Sequence, residues 1–337
     1  MTARQTIRSK LNQVRQQSKG TGQMRISASA LTLGVEAAIH LLLAAVLAGA
    51  VIFDRSAPFG VALVGASGSG LCGGAALVGA CFGSLATLDL SGGLRYASAA
   101  ILTFAVSFAF YDWKVIRRPW VMPALAGAIN SFTAFIVLSQ QGWRTVDVIY
   151  FAPEAALTVA AARVFRGALG PMGRRKGDHL LSPLRRTGLL ALLCACLISL
   201  APVGLYRDIS LGRVLAALAV LACAWQGGPA VGAIVGVSAG LSMDLSAQGI
   251  PLYTMAYSLS GLAAGLRRGK GRLGAALVYA LANGAAVLWT WDRGLPLSVL
   301  YEGLLAALIF LLIPERPLRR LGPWLAPELT GPVDLRA

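Results

Sequence analysis

Glu36 and His40 stand four residues apart inside a long apolar run, so a helix there places both on one face. A carboxylate and an imidazole in that relation have the chemistry of a proton relay. They have equally the chemistry of one buried hydrogen-bonded pair that fixes helix packing. A charge near mid-bilayer costs roughly 3 kcal/mol on insertion scales, so both residues are candidate site residues. Glu154 follows Pro153 and Glu302 follows Pro296. Proline suits the first helical position and a carboxylate is favourable in a first turn. Each glutamate therefore reads as a capping group near an outer interface or as a functional acid within the membrane.

Other chemistries are excluded or weak. The chain has only two histidines, His40 and His179, too few for a multi-histidine metal site. Cys194 and Cys196 have no His, Asp or Glu near them, and all five cysteines lie in apolar segments as small hydrophobes. Gly65-Ala-Ser-Gly-Ser-Gly70 imitates a phosphate loop in composition but lacks the lysine. No zincin helix motif occurs. No catalytic residue, metal ligand or cofactor is assigned.

The elements that must position these residues follow from composition. Of 337 residues 56% are hydrophobic and only 13% are charged, where soluble domains carry about 25% charged residues. The apolar residues come in blocks, and about 17–25 of them suffice to cross a bilayer as a helix. Alternating segments of about ten residues, the mark of a membrane barrel, are missing. Twelve apolar segments are expected at 28–53, 58–70, 73–88, 96–112, 120–138 and 149–169, then 188–205, 211–226, 230–243, 252–266, 273–290 and 297–313. Several are short enough to be half-helices or re-entrant pieces, so the expected fold is an all-α polytopic bundle of 10–12 spans.

Charge sets the orientation. With both ends inside, inner segments hold 24 of the 30 basic residues and outer segments hold six: Arg55, Arg95, Arg144, Arg207, Arg213 and Arg293. The net charge of +16 is thereby explained without nucleic acid. Residues 1–27 form a basic cytoplasmic tail with no cleavage signal. A first membrane half (28–169), a basic linker (170–187), a second half (188–313) and a cytoplasmic exit segment (314–337) follow.

The halves echo one another. Gly79-Ala-Cys-Phe-Gly83 with Leu88-Asp89-Leu90-Ser91 is matched by Gly236-Val-Ser-Ala-Gly240 with Met243-Asp244-Leu245-Ser246, and Glu154 by Glu302. Both halves begin inside, so a 6+6 repeat would be parallel. Gly79, Gly83, Gly236 and Gly240 suit close helix packing, or a substrate path through broken helices.

Three stretches carry a family resemblance. The entry helix runs into Ala57-Pro58-Phe59-Gly60-Val61-Ala62-Leu63. Gly236-Val-Ser-Ala-Gly240-Leu241 continues through Ala256-Tyr257-Ser258-Leu259-Ser260-Gly261-Leu262-Ala263-Ala264-Gly265 to a basic loop. Tyr301-Glu302-Gly303 leads through Phe310-Leu-Leu-Ile-Pro314 to a basic exit. In this order they resemble the N-terminal membrane region of the stage II sporulation protein E family, over most of residues 25–320. The resemblance implies a membrane region that precedes a regulatory segment and a metal-dependent PPM-type Ser/Thr phosphatase domain. It also implies a seat at the asymmetric septum of endospore-forming bacteria, with the cell-division ring and septal proteins as partners. Only about 24 residues follow Ile313, whereas a phosphatase domain needs on the order of 200. The reading is therefore a non-enzymatic anchor and assembly module. It self-associates through small-residue faces and meets anionic lipid headgroups through its basic loops. The alternative is a small-solute transporter or a membrane substrate-binding subunit, which requires a central polar cavity holding Glu36, His40, Glu154 or Glu302.

Overall fold

An apolar run that must satisfy its own peptide groups away from water does so as a helix, where each N–H bonds within the segment. The computed structural model describes residues 32–52, 56–115, 118–142, 145–169, 183–206, 208–247, 251–268, 271–293 and 296–319. Among them each of the twelve expected segments contains a helix. The first six are α1 (Thr32–Ala48), α2 (Phe59–Ser67), α3 (Leu71–Thr87), α4 (Leu90–Ala109), α5 (Val121–Gln141) and α6 (Thr145–Ala168). The second six are α7 (Pro183–Leu200), α8 (Leu211–Gly227), α9 (Pro229–Ala247), α10 (Leu252–Gly265), α11 (Arg272–Trp289) and α12 (Ser298–Leu312). A two-stranded hairpin, β1 (Gly204–Tyr206) with β2 (Ile209–Ser210), links α7 to α8, and a short α13 (Glu315–Arg319) follows α12. The tail, most of the linker and most of the exit segment lie outside the described residues.

Five helices are long and apolar enough to cross a membrane: α4, most of α5 and α6, α9 and α11. Four shorter apolar helices, α1, α3, α8 and α12, accompany them. The large apolar side chains point outward and the small ones inward. Phe82 and Leu281 are each 72% exposed, while the interior is built largely from alanines such as Ala44, Ala62, Ala99, Ala216 and Ala256. Water would penalise that arrangement, whereas lipid is as apolar as leucine and leaves close packing of small residues to hold helices together. The chain is accordingly a multi-pass membrane protein.

Two apolar cores form. One gathers residues of α1–α4 and α6, the other residues of α8–α12, and α7 feeds both, through Ala195 and Ile198 on one side and Leu197 on the other. Within the first half α2 packs on α3, α4, α5 and α6, successive helices from α3 to α6 pack on each other, and α3 also meets α1 through glycine. Within the second half α8 packs on α9, α10, α11 and α12.

Glycine permits the closest approaches. Gly79 and Gly83 of α3 lie against the backbone of α1 at Leu41 and Ala45, so α3 runs parallel to α1. Gly236 and Gly240 of α9 lie instead against the backbone of α10, at Tyr257–Ser258 and Tyr253–Thr254. The two glycine pairs echo in sequence but make different helix contacts. At Gly228 the backbone takes φ +87°, which breaks α8 from α9 just before Pro229.

The ends of the bundle differ in charge. The starts of α1 and α7, the end of α6, the α4–α5 and α10–α11 connections and the end of α12 share one end. There Arg163 lies over Trp120, Arg166 and Arg185 line one pocket with Glu36, and Arg272 reaches Ile313. At the opposite end stand Arg95, Arg213 and Arg293, with α1 and α7 finishing side by side where Ser199 donates to the Val46 carbonyl.

Candidate functional site

Asp89 ends the α3–α4 turn and accepts from Gly92 N, which caps α4 at Leu90. That start lies six residues earlier than the apolar pattern indicated. It turns Arg95 from a loop residue into a helical one, facing the interior beside Tyr96. Glu154 is also deep in a helix. α6 begins at Thr145, so Pro153 lies inside it and Glu154 is no first-turn cap. Thr158, one turn on, donates to the Glu154 carbonyl at 2.7 Å.

These placements build one buried cluster. Glu154 is 8% exposed and its carboxylate is held from three other parts of the chain. Oε1 accepts from the Arg95 guanidinium as an ion pair, from the Tyr96 hydroxyl at 2.9 Å and from Asn130 Nδ2 of α5 at 2.9 Å. Oε2 accepts from Ser56 Oγ at 3.3 Å, just before α2. Tyr96 in turn accepts from Ala57 N at 2.8 Å, and Arg95 lies over the Tyr96 ring. A carboxylate with both oxygens occupied neutralises the buried cation and joins α2, α4, α5 and α6.

The second half has a counterpart at the same end of the bundle. Glu302, fifth residue of α12 and 1% exposed, pairs with Arg213 Nε at 2.9 Å. Its Oε1 also accepts from Ser210 N at 2.8 Å, where Ser210 caps α8. Arg213 donates to the Tyr253 hydroxyl at 2.9 Å and to the Asp208 carbonyl at 2.6 Å. Tyr257 donates to the Arg213 carbonyl at 3.3 Å. Asn283 of α11 donates to the Val299 carbonyl at 3.1 Å, and Gly303 leaves room for its amide. Asp244 accepts from Tyr253 N and Thr254 N, at 2.9 and 2.8 Å, and so fixes the start of α10. Each half thus holds a glutamate on its last helix, a tyrosine on its fourth, an asparagine on its fifth and a serine before its second. The arginine comes from α4 in one half and α8 in the other. Unlike Glu154, whose two carboxylate oxygens are both occupied, Glu302 leaves Oε2 buried without a hydrogen-bond partner.

Glu36 and His40 sit elsewhere, at the basic end. His40 Nδ1 bonds the Glu36 backbone carbonyl at 2.8 Å, not its carboxylate. Both line a pocket of about 420 Å³ with Arg166 of α6 and Arg185 of α7. The four ionisable residues singled out from sequence therefore lie in three places and do not converge. Sequence reading missed Arg95, Tyr96, Asn130, Arg213 and Tyr253. A helix start at Asp89 and a tyrosine spaced alike after each glycine pair were the available signals.

The chain is 29% identical over 232 residues to stage II sporulation protein E of Bacillus subtilis (strain 168), an alignment covering 67% of this chain and 28% of that relative. No solved structure matches. The description "SpoIIE, N-terminal domain" matches residues 1–322. With that match over nearly its full length, the chain belongs to the family of the SpoIIE N-terminal domain.

Proposed function

We propose that this chain is the multi-pass membrane anchor and assembly module of a stage II sporulation protein E-like phosphatase, holding it at the asymmetric septum during endospore formation. The family match across residues 1–322 carries this reading. It is supported by the outward belt of large apolar residues and the inward small ones, which suit a bundle seated in lipid. In this reading the basic end faces the cytoplasm, both termini lie there, and the helices make ten to twelve crossings as two six-helix halves of like orientation. Helix pairings and glutamate clusters that recur between halves favour the repeat; the divergent glycine contacts set a limit on it.

The anchor itself is non-catalytic, and phosphatase chemistry belongs to a separate domain of the fuller relative. Self-association and contact with the division ring or septal proteins belong to the same proposal. A transporter would need its ionisable groups along one path. Here Glu154 and Glu302 are each enclosed by partners of their own half, and Glu36 and His40 lie at the opposite end.

The test is the position of a fluorescent fusion of the chain in sporulating cells. Enrichment at the asymmetric septum is expected. An even distribution around the cell membrane would contradict the septal role while leaving membrane insertion intact.

A further inference from the structure

The basic end of the first half is open, whereas that of the second half is filled. Between α8, α11 and α12 the Arg272 guanidinium lies 5.8 Å from the Trp225 ring centre and 5.0 Å from that of Phe310. It donates to the Phe310 carbonyl and, at 2.7 Å, to that of Ile313. The chain closes that end with its own side chains. Between α1, α2, α3, α6 and α7 a pocket of about 420 Å³ remains, within the range of about 300–1,000 Å³ usual for small-molecule sites.

Its lining has two chemistries. Ile39, Leu43, Leu189 and Leu192 make an apolar wall, and Ile39 is exposed at the rim. Arg166 and Arg185 supply two guanidinium groups, neither with an ion-pair partner among the described residues. Arg166 Nη1 and Arg185 Nε are buried and lack any hydrogen-bond acceptor. A buried donor left unpaired is costly, and a charged one more so. Glu36, His40, Ser67 and Cys72 also face the pocket, so Glu36 offsets only one of the two arginine charges. The remaining charge, beside an apolar wall at the basic end of a helical bundle, fits one phosphodiester with a hydrocarbon chain attached. Basic pockets between membrane helices at that end suit anionic headgroups.

We propose that this pocket binds one anionic phospholipid, its phosphate on Arg166 and Arg185 and an acyl chain along Ile39, Leu43, Leu189 and Leu192. The Glu36 carboxylate accepts from a headgroup hydroxyl, which favours phosphatidylglycerol over a headgroup without one. The proposal rests on the membrane-embedded reading above but not on septal position.

The experiment is native mass spectrometry of the full chain, freed of lipid in a neutral detergent and titrated with dioleoyl phosphatidylglycerol, dioleoyl phosphatidylcholine or inorganic phosphate. One phosphatidylglycerol per chain is expected, at least tenfold tighter than phosphatidylcholine and not displaced by a tenfold excess of phosphate. R166Q/R185Q should reduce phosphatidylglycerol to the phosphatidylcholine level. L189W, which keeps both arginines and fills the apolar wall, should lose the lipid as well. Undiminished binding in either variant, or equal binding of the two lipids, would overturn the site. Displacement by phosphate would show a free-anion site and overturn the lipid assignment. Flotation of the chain with phosphatidylcholine vesicles separates the readings: a chain that floats but shows no phosphatidylglycerol preference refutes the pocket alone, and one that does not float refutes membrane insertion.

Discussion

Arg95 and Glu154, 59 residues apart in sequence, form an ion pair in the interior of the first half. The pair bridges α4 and α6, both of which pack on α2 and α5. Tyr96, Asn130 and Ser56 fill the remaining positions on the carboxylate. A buried charge pair contributes little net stability against an apolar substitute, yet breaking it by removing one partner leaves an uncompensated charge. The cluster therefore fixes which helices meet more than it adds to how tightly they do.

Glu154→Ala is expected to destabilise the chain by about 3–5 kcal/mol, because it strands the Arg95 guanidinium. Replacing both residues, as R95L/E154L, should cost less than the single change. Chemical unfolding in detergent micelles, followed by helical circular dichroism, checks both. A single substitution that unfolds at the same denaturant concentration as the unaltered chain would show that the pair is not buried.

The two glutamate clusters lie in separate halves and share no residue. Losses from Glu154→Gln and Glu302→Gln should therefore add to within about 0.5 kcal/mol. Coupling well above that, measured by a double-mutant cycle in the same micelles, would mean that the two clusters respond as one network.

Gly240 has no room for a methyl group: a Cβ there would lie 2.7 Å from the Thr254 nitrogen. Backbone cannot move aside as a flexible side chain can, so Gly240→Ala is expected to separate α9 from α10. Gly34 of α1 has nothing within 4 Å of that position, and Gly34→Ala should be neutral or stabilising by about 0.5–1 kcal/mol. Thermal unfolding of the two variants side by side reads the difference. Equal stability of both would show that the α9–α10 approach is not tight.

The membrane class and the order of the twelve helices were legible because apolar blocks and charge asymmetry are local signals. Helix starts were less so. Leu90 begins α4 only because Asp89 caps it, and the apolar count placed the start six residues later, which left Arg95 outside. Pro153 looked like a helix start, but α6 begins eight residues earlier and carries the proline internally. The spacing of Glu36 and His40 implies one helix face; that both line one pocket, and that His40 bonds a backbone carbonyl, depends on the neighbouring helices and the local rotamer and not on the spacing. The partners of Glu154 come from three other parts of the chain and those of Glu302 from two, α8 and β2, and no local pattern encodes such long-range pairing. The open pocket beside Arg166 and Arg185 was hidden for the same reason: its walls come from five helices.

The most direct test of the orientation uses single cysteines in a chain whose five native cysteines, none in a disulfide, are replaced by alanine. Val115→Cys and Leu266→Cys mark the basic end, Tyr206→Cys and Trp291→Cys the opposite end, and all four positions are exposed. With a membrane-impermeant maleimide on intact cells, labelling is expected at positions 206 and 291 and not at 115 and 266 until the membrane is opened. Labelling of position 115 or 266 from outside would contradict two halves of like orientation with their basic ends in the cytoplasm.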